Sequence, residues 1–163
     1  MDVRTLHFMV MVGFGLSLAG PTASAQTAED SFIDGLAAYD AGDVAETVRI
    51  WKALASDGDA NAQVGLAGLY RAGSGVARDL AEAARLYRLA AEQGDSNGQL
   101  NLGRLYLEGN GVKQNQAAAY AWLTLAARQG RRWAKEQRQK IEPLLSADQL
   151  ISANALIAEI ESR

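Results

Sequence analysis

Between residues 62 and 130 the apolar positions fall three and four apart, and the whole pattern returns after 36 residues. Leu66-Ala-Gly-Leu-Tyr70-Arg-Ala-Gly73-Ser-Gly75-Val76 is answered by Leu102-Gly-Arg-Leu-Tyr106-Leu-Glu-Gly109-Asn-Gly111-Val112. The register holds further on: Ala83 meets Ala119, Tyr87 meets Leu123, Ala90 and Ala91 meet Ala126 and Ala127, and Gly94 meets Gly130. Spacing of this kind places the apolar residues on one helical face. A fixed period in this range is the mark of a helical solenoid, in which no unit buries both faces alone. The pattern predicts helices over 61–72 and 79–93 joined by a turn at 73–75. It then predicts helices over 97–108 and 115–129 joined by a turn at 109–111. Small residues (Ala62, Ala67, Ala84, Ala90 and their counterparts Gly98, Gly103, Ala126) stand where helices must approach closely.

The flanks vary the theme. Phe32, Leu36 and Tyr39 share a face of a helix closed at Gly42, with Asp43 a candidate N-cap for the next. That next helix carries Val44, Val48, Trp51, Leu54 and Ala55 and stops at Asp57-Gly58. Trp51 aligns with Tyr87 at 36 residues, whereas Tyr39 and Tyr70 are 31 apart, so residues 31–60 form a short first unit without the Gly-x-Gly-Val extension. After Gly130 the repeat decays: Trp133-Ala134 opens a helix, Arg138 falls where leucine is expected, and Pro143 ends or bends it. Ser146 and Gln149 are spaced as a capping box, opening a last helix with Leu150, Ala153, Leu156, Ile157 and Ile160 on one face. Such a helix suits the open end of a solenoid; its rival role is as an interaction helix for a second protein.

The two full copies resemble the Sel-one-like repeat, a subclass of tetratricopeptide-like repeats whose pattern is Ala-x3-Leu-Gly-x2-Tyr-x2-Gly-x-Gly-Val, a spacer, then an aromatic and Ala-Ala-x2-Gly. Ala62, Leu66, Tyr70, Gly73, Gly75, Val76, Tyr87, Ala90, Ala91 and Gly94 match it, as do Leu102, Gly103, Tyr106, Gly109, Gly111, Val112, Ala126, Ala127 and Gly130. Ala67 and Gly98 depart from it mildly. The resemblance implies an all-α, right-handed α/α solenoid of tandem hairpins with a C-terminal capping helix. Residues 31–60, 61–95 and 96–130 form its units, and 131–163 a degenerate helix plus the cap. It also implies that the first helix of each unit lines a concave side. Register would then turn Ile33, Asn61, Val64, Arg71, Asn97, Leu100, Arg104, Glu108, Trp133 and Glu136 inward, where arginine and asparagine suit a peptide backbone or carboxylate. Sel-one-like proteins commonly assemble complexes or tune other proteins, often in bacterial envelopes. The relatives linked to penicillin binding are cysteine-rich, and that activity is not carried over to this chain.

Composition removes most catalytic chemistry. The chain has no cysteine, and its one histidine, His7, falls in residues 1–25, which read as a cleaved signal peptide. There Arg4 and His7 precede an apolar run of about a dozen residues, short of the ~20 that span a bilayer, and Ala23 and Ala25 supply the small residues before a cut at Gln26. Export points to a periplasmic or secreted protein, after a polar leader at 26–30. Without imidazole or thiolate, usual triads, cysteine nucleophiles and zinc sites are excluded from the mature chain, and no cofactor or metal site is expected. The turn glycines close helices rather than open them after a strand, so they are αL stops and not phosphate loops.

Charge is uneven. Residues 26–60 hold eight acids against Arg49 and Lys52, and 128–140 hold six bases against Glu136. Arg131, Arg132, Trp133 and Lys135 in the basic segment are a candidate docking patch for an anionic partner, with a solvated helix face as the alternative. Trp133 and Trp122 are better placed for core or cap packing than as binding anchors. A net charge of −3 and export speak against nucleic acid. The sequence thus points to a non-catalytic scaffold for a protein or peptide partner. Its rivals are an envelope glycan-binding protein or a hydrolase built on a carboxylate pair of raised pKa, and self-association of the basic end with the acidic end.

Overall fold

The computed structural model describes residues 23–163, with side chains from Ser31. The expected signal peptide as far as residue 22 lies outside the described residues. The elements are α1 (Ala23–Asp40), α2 (Val44–Ser56), α3 (Ala60–Ala72), α4 (Leu80–Glu92), α5 (Ser96–Glu108), α6 (Gln116–Arg128), α7 (Arg132–Ile141), a 3-10 turn (Glu142–Leu144) and α8 (Ala147–Glu161). Residues 26–30, expected as a loose leader, continue α1 as helix. No helix among the described residues is long and apolar enough to cross a membrane.

Helices α1 and α2, α3 and α4, and α5 and α6 pack as hairpins, and α2 on α3, α4 on α5 and α6 on α7 join each unit to the next. This is an all-α solenoid. Acidic or amide caps open most helices: Asp43, Asp59, Asp79, Asp95 and Asn115 each accept a first-turn N–H, at 2.6 Å for Asp59 and Asp95. Ser146 and Gln149 form the reciprocal capping box. Two acids of the N-terminal acidic run, Asp43 and Asp59, are thus structural.

The paired turn glycines have separate tasks. Gly73 and Gly109 close α3 and α5 in the left-handed region (φ 71° at both), donating to Leu69 O and Leu105 O at 2.8 Å. The second glycines, Gly75 and Gly111, also have positive φ, and each lies against the start of the preceding unit's second helix. A methyl on Gly75 would stand 2.5 Å from Val44 Cγ1, and one on Gly111 would overlap the Leu80 carbonyl. Val44 and Leu80 are themselves 36 residues apart. The extension missing from the first unit is therefore the part that docks a unit onto the one before it.

The core runs continuously through Trp51, Leu66, Leu86, Tyr87, Leu102, Trp122 and Leu123. Trp51 lies between the two flanking helices. It stacks on Phe32 at 5.4 Å, and Gly35 of α1 and Gly65 of α3 give it room, since a Cβ at Gly65 would stand 2.8 Å from its ring. Buried glutamines repeat along the stack. Gln63 and Gln99 donate to Ala55 O and Ala91 O at 3.3 Å, and their own oxygens accept from Gln93 and Gln129 at 2.9 Å.

Helix α8 runs along α6. Gln149 stands near the start of α6 and Glu161 pairs with Arg128 at its end. Where α4 presents Glu82 and Arg85 outward, α6 has Ala118 and Ala121, leaving an apolar outer face that α8 covers with Ala153 and Ile157. Ile157→Ala is expected to cost about 2–4 kcal/mol by urea denaturation, the usual cost of truncating a buried aliphatic side chain.

Candidate functional site

The first helices of successive units carry most of the residues expected on the inner face, but only some come together. Val64, Gly68 and Arg71 of α3, with Tyr39 of α1 and the edge of Trp51, line a groove of about 330 Å³. Tyr39 is 44% exposed and stacks at 6.3 Å on Trp51, and Ile33 and Leu36 extend an exposed apolar row along α1. Arg71 is exposed and its guanidinium has no partner among the described residues. Asn61 lies exposed on the first turn of α3. The site therefore has an aromatic wall, an apolar floor and a free cation at one end.

The same positions in the next unit are closed. Gly68 corresponds to Arg104, which bonds Asn101 at 3.0 Å and approaches Glu108 at 4.0 Å. Asn97 is half-buried, with its carbonyl accepting from Asn101, while Leu100 packs on the core and Glu108 also accepts from Asn110.

Three of the six bases of the basic segment are ion-paired within the fold, and a fourth is hydrogen-bonded to a neutral hydroxyl. Arg131 donates to Ser96 at 2.9 Å, Arg132 pairs with Glu136 at 3.6 Å, Arg138 with Glu142 at 3.9 Å, and Arg128 with Glu161. Lys135 and Lys140 are left without a partner among the described residues. Trp133, expected in core or cap packing, is instead 39% exposed on α7, while Trp122 is buried as expected. Exposed ion pairs like these contribute little to stability, but they lower the free positive charge available to a partner.

Among the described residues no carboxylate dyad is assembled. Asp34 and Glu46 line one groove between α1 and α2, but Arg49 grips both oxygens of Glu46 at 2.7 and 2.5 Å. That hydrogen bonding holds the Glu46 carboxyl below its ordinary pKa, opposite to what a general acid needs. Among the described residues no group of three or more His, Cys, Asp or Glu could hold a metal.

Sequence reasoning missed Tyr39 and Gly68 as groove residues. A glycine inside a helical pattern was the available signal, since it has a packing or functional reason when it is kept there.

The Sel1 repeat family model matches residues 60–95 and 96–130. The chain carries two Sel1 repeats. Residues 31–59, which supply one wall of the groove, lie outside that match. Among solved structures, a protective antigen of uropathogenic Escherichia coli strains with an SLR fold is 31% identical, with a TM-score of 0.76 over 84% of this chain. A Sel1 repeat protein from Oxalobacter formigenes is 28% identical, with a TM-score of 0.64 over 69%. This chain spans 31% and 45% of those two chains. No curated protein matches it.

Proposed function

We propose that this Sel1-repeat chain is an exported, non-catalytic scaffold that grips a partner protein through a short peptide segment in the α1–α3 groove. The observation that carries this reading is the exposed Tyr39 beside an unpaired Arg71, with Val64 and the side-chain-free Gly68 between them. The groove volume suits one large side chain, and the chemistry suits an apolar or aromatic anchor followed by a carboxylate. Export rests on the small-residue cleavage pattern before Gln26, and a protective antigen among the similar structures fits an envelope or secreted setting. The role is that of an adaptor or regulator in an envelope complex.

The test is a peptide selected from a displayed random library against the protein, with affinities measured by calorimetry. Tyr39→Ala and Arg71→Glu are each expected to weaken binding about tenfold or more, while the double variant Lys135→Ala/Lys140→Ala binds as wild type. Loss of binding only in the lysine variant would move the site to the basic segment and overturn the proposal.

A further inference from the structure

A larger cleft, of about 670 Å³, opens away from this groove, between α4, the α5–α6 turn and the start of α8. Two cations line it, Arg88 and Lys113, together with Tyr106, Asn115 and Gln149, and no carboxylate does.

Most of its polar groups can donate, while Gln114, whose side-chain N–H donates to Leu107 O at 2.6 Å, keeps its amide oxygen. The Asn115 side-chain oxygen accepts from Ala118 N–H at 3.0 Å and that of Gln149 from Ser146 N–H at 2.9 Å, which fixes both amides with their NH2 groups free to donate. The Tyr106 oxygen accepts from Arg88 at 2.7 Å, which leaves the phenol its own proton to give. Lys113 and the remaining Arg88 N–H groups can only donate.

The preceding unit shows how this was built. By the interval of 36, Arg88, Tyr106, Lys113 and Asn115 stand where Lys52, Tyr70, Ala77 and Asp79 stand, and Ala118 stands where Glu82 does. Across this framework Asp79 has become an amide, Arg78 has become Gln114, the Glu82–Arg85 ion pair has gone, Lys113 is new, and α8 has added an amide.

We propose that this cleft binds a small molecule bearing a phosphomonoester. Donors from separate elements suit a tetrahedral group with three terminal oxygens better than a planar carboxylate with two. The cleft exceeds a bare phosphate, so an organic body accompanies the group.

The probe is glycerol 3-phosphate, titrated into the full chain and followed by backbone amide NMR and calorimetry, with glycerol and inorganic phosphate as comparisons. Saturable shifts are expected in residues 112–117 and at Gln149, with glycerol silent and inorganic phosphate binding more weakly. Lys113→Ala and Arg88→Ala should each weaken binding about tenfold. Asn115→Asp is the sharper variant. Asp79 already caps α4 in this position, so the fold and the cap persist while a carboxylate enters the cleft, and binding should be lost. Binding unchanged in Asn115→Asp, shifts located elsewhere, no saturation at millimolar probe, or equal affinity for glycerol would each overturn the assignment. Inorganic phosphate binding as tightly as the ester would overturn the organic body.

Discussion

Gly111→Ala is expected to destabilise the protein by about 3 kcal/mol or more, whereas Gly109→Ala, two residues away, should cost about 1–2 kcal/mol. Both glycines have φ near +71°, so the backbone penalty for an L side chain is the same at each. The difference is what surrounds the added methyl. At Gly109 the nearest atom is Gln114 Cβ at 3.4 Å, an ordinary contact. At Gly111 it is the Leu80 carbonyl of the preceding unit, which cannot move aside without lifting α6 and its turn off α4. Backbone yields less readily than a flexible side chain, so the strain must separate the units. Urea denaturation of the two variants measures the difference. Equal losses would mean that the second glycine serves only its own φ and that units are joined chiefly by helix packing.

Trp51→Ala should cost about 3–5 kcal/mol, the range for deleting a buried aromatic side chain. The ring is 5% exposed, fills space left by Gly35 and Gly65, stacks on Phe32 and Tyr39, and donates from Nε1 to Phe32 O at 3.4 Å. Alanine would leave two glycine-lined helices facing a cavity that neither can fill. Trp51→Phe keeps most of the apolar contact and should cost less than half as much. Thermal unfolding followed by far-UV circular dichroism reads the order. Because Trp51 also forms the edge of the α1–α3 groove, the alanine variant is expected to lose peptide binding before it loses helix content.

The hairpins were legible because cap, turn and apolar spacing all repeat: Asp59 and Asp95, Gly73 and Gly109, and Tyr87 and Leu123 each name the same place twice. What escaped was set by neighbours distant in sequence. Tyr106 lies against Arg88 of the preceding helix, but no described helix precedes α1 to cover Tyr39 in the same way. Gln63 and Gln99 read as solvent residues by type, yet they are 3% exposed because each finds a carbonyl of the preceding helix. Polar side chains enter a core when such partners exist. The basic segment looked like a free patch because Ser96 and Glu161, which engage Arg131 and Arg128, lie 35 and 33 residues away. The docking of α8, by contrast, was written in Ala118 and Ala121, where the other unit has charges.

In the proposed function the α1–α3 groove is the surface that holds the partner peptide. Amide NMR of the full chain titrated with a library-selected peptide tests it most directly. The expected result is saturable shifts confined to Leu36, Tyr39, Val64, Gly68 and Arg71. Shifts clustered instead at residues 131–140, or selected peptides that leave the groove amides unmoved, would contradict it.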